Sequence, residues 1–200
     1  MRLGILGGSY DPPHVGHLLA ANDACSHLSL DQLVFVPAGE QPLKAGQLVA
    51  TGAQRLAMVR AMVQDDPRYQ VSSLEVNRPG LSFTVDTLRH FAAEFPGAER
   101  FLLLGADVLS TFSQWREPAE VVRLAQLVVM VRDGAPAEPE PAVGGLVSQR
   151  ISTRRIDMSS SEIRERVRRG MSIRGFVTDA VAALIAGEGL YREGVRTAAC

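Results

Sequence analysis

Short unbroken apolar runs alternate with longer stretches of helical periodicity along this chain. Residues 3–6, 33–36, 101–104 and 127–131 are apolar runs of strand length. Residues 69–74 read as a further strand, and 147–156 hold a last one. Apolar residues at helical spacing predict helices over 14–28, 53–63, 118–124, 159–169 and 178–186. Two more are expected, one entered through 82–86 and ending near Phe91, the other over 108–115. Strands that are apolar on both faces belong to a sheet covered on both sides. The strand–helix alternation therefore predicts an α/β fold, a doubly wound, Rossmann-like parallel sheet with helices on both faces. Residues 39–52 and 134–145, rich in Gly and Pro, read as surface loops. Residues 1–191 are expected to form a single domain and 192–200 a polar tail. Ligands of such sheets bind at the carboxyl ends of the strands, near the point where strand order reverses.

Composition narrows the class. The 200 residues suffice for one domain with a sizeable core. Apolar residues make up 46% and charged residues 22%, ordinary for a globular chain. A net charge of −1 gives no general attraction to nucleic acid or to a membrane surface. The arginines between 150 and 174 are a local excess that needs a local explanation. The two cysteines, Cys25 and Cys200, form neither a disulfide framework nor a zinc spacing, which suits a reducing, cytoplasmic compartment. The apolar start through Leu6 is too short for a secretory leader, and no run approaches a membrane span.

The chemistry begins directly after the first strand. Residues 7–17 read Gly-Gly-Ser-Tyr-Asp-Pro-Pro-His-Val-Gly-His. Gly7 and Gly8 let backbone N–H groups approach a phosphate closely, with Ser9 and Tyr10 completing the turn. Asp11 is expected to cap the helix that follows, with the prolines in its first turn. His14 and His17 then share a helix face, with Gly16 between them. The expected product is a phosphate cradle with two imidazoles over it. This segment resembles the H-x-G-H signature of the nucleotidyltransferase superfamily. The resemblance implies attack by a substrate phosphate on the α-phosphorus of a nucleoside triphosphate, with pyrophosphate leaving.

A second phosphate-side element is Met-Ser-Ser-Ser-Glu-Ile-Arg at 158–164. Ser159 and Glu162 fit a capping box, so a helix starts here with its N–H groups open to an anion. Ser160 and Ser161 offer hydroxyls, and Arg164 lies one turn in. Arg166, Arg168 and Arg169 fit the basic last turn of an ordinary helix. The segment looks like the I-S-S-T-x-I-R motif of the same superfamily, which holds the nucleotide triphosphate.

Three features concern the acceptor. Gly105-Ala106-Asp107 closes a strand, where a carboxylate can meet sugar hydroxyls or a hydrated Mg²⁺, and Trp115 follows as a stacking surface. Residues 78–88 read as a turn and a helix start, where backbone N–H groups can hold a small carboxylate. Lys44 sits in the 39–52 loop, placed to clamp a phosphate.

Taken together these motifs are similar to those of the bacterial nicotinate-nucleotide adenylyltransferases, over residues 3 to 191. That resemblance implies ATP and nicotinate mononucleotide as substrates, deamido-NAD and pyrophosphate as products, and Mg²⁺ bound through the ATP phosphates. His14, His17 and Arg164 would then carry catalysis. Gly7, Gly8, Ser9, Tyr10, Gly16, Gly105, Asp107, Ser160 and Ser161 would bind ATP, and Lys44, Phe83, Thr84 and Trp115 the acceptor. The family's Pro-Pro-His-Lys run is reduced here to Pro42 and Lys44. Three alternatives stay open: the amide mononucleotide or phosphopantetheine as acceptor, and a nucleotide-sensing module without turnover. No protein metal site, nucleic acid or membrane is expected, and the sequence leaves a homo-oligomer open.

Overall fold

A computed structural model describes residues 1–40, 48–132, 134 and 144–192. Six strands form one sheet: β1 (Arg2–Gly8), β2 (Gln32–Pro37), β3 (Tyr69–Val71), β4 (Glu99–Gly105), β5 (Gln126–Arg132) and β6 (Val147–Thr153). All pairings are parallel, in the order β3-β2-β1-β4-β5-β6. The helices are α1 (Val15–Leu28), α2 (Gly52–Val63), α3 (Thr84–Glu94), α4 (Pro118–Leu124), α5 (Ser160–Arg168) and α6 (Asp179–Gly187).

Alternation along each strand divides the core between the two faces. Leu3, Ile5, Val34, Val36, Leu102 and Leu104 pack with Val85, Leu88 and Phe91 of α3 and with Val121 and Leu124 of α4. The intervening residues Leu33, Phe35, Phe101 and Leu103 point the other way, toward Ala21, Met58, Ile163 and Val181 of α1, α2, α5 and α6. Each large side chain so buried contributes about 1.5–3 kcal/mol. The doubly wound expectation is met, and its cause is visible in the strands.

The sheet opens where the site is expected. β1 pairs with β2 up to Gly8↔Pro37, but with β4 only up to Leu6↔Leu103. Leu104 and Gly105 pair onward with β5 instead. The two central strands therefore part at their carboxyl ends. Gly7 and Gly8 form one lip of the crevice, Leu104 and Gly105 the other.

Three expected elements differ in detail. In place of a helix over 108–115 stands a 3-10 helix, Ala106–Gln114, with Trp115 just past its end. The Ser110 and Thr111 hydroxyls donate to the carbonyls of Asp107 and Val108, at 3.0 and 2.9 Å. Such local bonds compete for the acceptors an α-helix would use. β3 ends at Val71 rather than 74, and β6 ends at Thr153 rather than 156. No helix among the described residues is long and apolar enough to cross a membrane.

Candidate active site

The loop between β1 and α1 is held from beneath. Asp11 does not cap α1, as its position suggested. Its carboxylate is 2% exposed and accepts from the N–H groups of Val49 and Ala50 and from the Tyr191 hydroxyl, at 2.7, 3.1 and 2.7 Å. The N-cap is His14 instead. Tyr10 is also placed otherwise than expected. Its ring is buried, its hydroxyl donates to the Leu6 carbonyl at 2.8 Å, and it packs edge-on to His17 and Phe35. Its side chain is therefore part of the floor, not a nucleotide contact. Gly8 serves that floor, because a Cβ there would lie 2.9 Å from the Tyr10 ring. Gly7 differs. A Cβ on it would meet no protein atom within 4 Å, so the space above it is open to a ligand.

The two histidines stack, with ring centroids 3.7 Å apart. Gly16 permits this, because a Cβ there would stand 3.0 Å from His14 Nδ1. His17 Nδ1 accepts the His14 backbone N–H at 3.1 Å. Desolvation, and then the neighbouring His14, hold the His17 pKa well below its ordinary value. A neutral imidazole whose Nδ1 is an acceptor carries its proton on Nε2. His17 is thus set as a hydrogen-bond donor, in a tautomer chosen by a backbone amide. Burial, with the Arg132 charge adding to it, lowers the His14 pKa to about 4. His14 Nδ1 is buried without a partner among the described residues.

α5 reaches the same loop from the far end of the chain. Ser159 caps it, accepting from the Glu162 N–H at 3.1 Å. The Ser160 hydroxyl donates to the Pro12 carbonyl at 2.8 Å. It is therefore engaged with the loop, and is corrected from a phosphate donor to a tie. Arg164 donates to the Asp11 carbonyl through Nη1 at 2.6 Å and to the Ser161 hydroxyl through Nη2 at 3.1 Å. A guanidinium carries five N–H donors, so Arg164 keeps others for an anion. The backbone N–H groups of Ser160 and Ser161, in the first turn of α5, have no acceptor within their own helix.

The side of the crevice around β4 and α3 is more open. The Asp107 side chain is exposed, and a Cβ on Gly105 would fall 2.5 Å from its Oδ1. The glycine makes room for that carboxylate at the crevice lip. Trp115 is half-buried, tilted against Phe112 at 5.2 Å. Phe83 is the N-cap of α3, with the Arg116 guanidinium 4.9 Å over its ring. Phe83 and Trp115 border the same apolar cluster. The N–H of Thr84 opens α3 and has no acceptor in that helix. Lys44 lies outside the described residues.

Arg55 and Tyr191 were not singled out from the sequence as site residues. Arg55 had a signal: it stands on the stripe of α2 that also holds Val59 and Met62, a charge among core positions. Tyr191 had none beyond its place at the chain's last apolar cluster. Among the described residues no three His, Cys, Asp or Glu side chains are grouped to hold a metal ion. A divalent ion would find Asp107 alone as a side-chain partner at the β4 lip, and otherwise the oxygens of its nucleotide.

A parallel sheet parted at its switch point, a glycine turn, stacked neutral histidines and a helix start tied to the same loop define a nucleotidyltransferase. The comparisons narrow that class. Residues 5–166 match the cytidylyltransferase-like family. The chain is 48% identical over 204 residues to the probable nicotinate-nucleotide adenylyltransferase of Gemmatimonas aurantiaca, covering 100% of this chain and 96% of that one. It is 43% identical over 194 residues to the protein of that description from Thermus thermophilus, covering 96% and 100%. The chain belongs to the cytidylyltransferase-like family and, within it, to the nicotinate-nucleotide adenylyltransferases. The fold is that of Plasmodium falciparum nicotinic acid mononucleotide adenylyltransferase complexed with NaAD, at a TM-score of 0.75 and 17% identity, covering 95% of this chain and 97% of that one.

Proposed function

We propose that this site transfers the adenylyl group of ATP to the 5′-phosphate of nicotinate mononucleotide, giving deamido-NAD and pyrophosphate. An acceptor phosphate oxygen attacks the α-phosphorus in line. The bond from that phosphorus to the β-phosphate oxygen breaks, and pyrophosphate leaves with the electron pair. Such transfers need positioning and charge stabilisation rather than a protein nucleophile. The observation that carries the reading is the fixed His17 tautomer beside the loop that Arg164 and Ser160 tie down.

In this reading the His17 Nε2–H donates to a phosphate oxygen, more strongly as charge develops in the transition state. Arg164 and the first N–H groups of α5 face the leaving pyrophosphate. Gly7 lets the triphosphate lie close to the backbone, and Gly16 serves it by letting the two imidazoles stack. Asp107 meets the nucleotide sugar or a water of Mg²⁺. Mg²⁺, bound through the triphosphate, supplies charge neutralisation there. The nicotinate ring stacks on Trp115, and its carboxylate meets the backbone near Phe83 and Thr84. Lys44 completes the acceptor side, and the cytoplasm is the compartment that matches these substrates.

The test is pyrophosphate release from ATP and Mg²⁺ with each acceptor in turn. Nicotinate mononucleotide should be used with the highest kcat/KM of the panel. A higher kcat/KM for nicotinamide mononucleotide or phosphopantetheine would replace the acceptor. ATP binding without product on any acceptor would replace the enzyme by a sensor.

A further inference from the structure

We propose that Arg55 is a positioning residue for this transfer, acting through the 9–12 loop by turning the Ser9 carbonyl into the protein. The proposal rests on the function just given. Arg55 is 2% exposed, and its Nη1 donates to the Ser9 carbonyl at 2.8 Å. Its Nε is buried without a partner among the described residues. The Asp11 and Glu75 carboxylates are its opposite charges.

A buried cation so placed is a poor stabiliser. Desolvating a guanidinium is costly, and its attraction to the Asp11 and Glu75 carboxylates offsets that cost only in part, since burial is the largest influence on the Arg55 pKa and lowers it. A Met at 55 would continue the stripe of Val59 and Met62. What an apolar residue cannot do is hold a carbonyl.

The held carbonyl matters because of what the loop must face. Tyr10 has a φ of +51°, a left-handed backbone. A non-glycine residue adopts that conformation only at an energetic cost. It is fixed on both sides, by its own hydroxyl on Leu6 and by Arg55 on the preceding peptide. In a trans peptide the C=O and N–H point in opposite directions. Turning the Ser9 carbonyl onto Arg55 therefore aims the Tyr10 N–H away from the buried guanidinium. The Asp11 and Pro12 carbonyls are likewise taken up, by Arg164 and Ser160. Three main-chain acceptors that would repel a triphosphate are thus tied off, two by α5 and one by α2. Arg55 is the tie contributed by α2, and the one with no exposed role of its own.

The experiment compares kcat and KM of Arg55→Met and Arg55→Lys with the unmodified chain, alone and combined with His17→Ala. Circular dichroism melting verifies folding of each variant. A loop displaced by about 1 Å loses on the order of 100-fold in kcat, the expectation for Arg55→Met, with the mononucleotide KM unchanged. Arg55→Lys keeps the charge without the planar fork, and should recover about 10-fold of that loss. On the His17→Ala background the Arg55→Met loss should shrink to about 3-fold, because Tyr10, whose turn Arg55 holds, packs edge-on to His17 and the two act through one loop. Losses that multiply fully across the two sites would overturn the proposal, leaving Arg55 a structural residue. So would a folded Arg55→Met or Arg55→Lys variant with unmodified kcat. If Arg55→Met does not fold, Arg55→Lys carries the same cycle. No product from the unmodified chain would overturn the functional reading itself, and this proposal with it.

Discussion

The two sides of the crevice that the proposed reaction assigns to triphosphate and to acceptor are built differently. On the first, Tyr10, Asp11 and His14 are all buried, and Asp11 alone joins the loop to Val49, Ala50, Tyr191 and Arg164. The ties are hydrogen bonds of 2.6–3.1 Å, two of them buried and two part-buried. On the second, Asp107 is exposed, Phe83 and Trp115 are half-buried, and Arg116 bridges to Asp86 and Glu117 at 3.7 and 3.5 Å on the surface. Exposed pairs of that kind contribute about 0–1 kcal/mol each. Groups that must match a transition state gain from being fixed before substrate arrives. Groups that choose an acceptor need shape and stacking, and tolerate softer support. The contrast predicts that substitutions on the two sides differ in kind: kcat on the first, acceptor KM on the second.

The largest expected effect is at His17. Removing one preorganised donor to a developing charge costs on the order of 10²–10³ in kcat. His17→Ala should show that loss with little change in the mononucleotide KM, measured by steady-state pyrophosphate release. A variant that folds and keeps near-normal turnover would remove the central element of the mechanism.

How much of this was legible beforehand divides along the same line. The sheet and its two helical layers followed from apolar runs, and the candidate residues from glycine, histidine and serine motifs together with the family those motifs resemble. The roles of Tyr10, Asp11, Ser160 and Gly8 did not. Asp11 before two prolines has the local signature of a cap, and local signatures were all the sequence offered. Its partners Val49, Ala50 and Tyr191 lie 38, 39 and 180 residues away, a tertiary contact no spacing encodes. The His17 tautomer likewise depends on where one backbone N–H points. Arg55 was the exception, since a charge on an apolar helical stripe is visible in the sequence.

The second prediction concerns pH and the buried histidines. His14 in the folded protein has a pKa of about 4, against 6.5 ordinarily. As pH falls below that ordinary value, the unfolded chain takes up the proton first, so folding loses stability. The contribution is fully present above pH 6.5 and is lost by about pH 4, where His14 alone accounts for about 3 kcal/mol. His17 shifts in the same direction and deepens the loss. Urea midpoints measured across that window should fall more steeply for the unmodified chain than for His14→Asn. Equal slopes would mean that these imidazoles are not desolvated, and the triphosphate side would lose its claim to being preorganised.

The smallest effects belong to the acceptor side, and there two neighbours separate stacking from charge. Trp115→Ala removes a flat surface that an aromatic ring can use at about 0.5–1.5 kcal/mol, or roughly 2- to 10-fold in binding. The mononucleotide KM should rise by that factor, while the ATP KM and kcat hold. Arg116→Ala removes an exposed cation whose partners Asp86 and Glu117 remain solvated, so stability should move by less than about 0.5 kcal/mol. Its effect on the acceptor then reports on Phe83 alone, because the guanidinium lies over that ring. A Trp115→Ala variant that lost kcat rather than acceptor affinity would place the ring in the reacting centre. The two sides of the crevice would then no longer divide positioning from recognition.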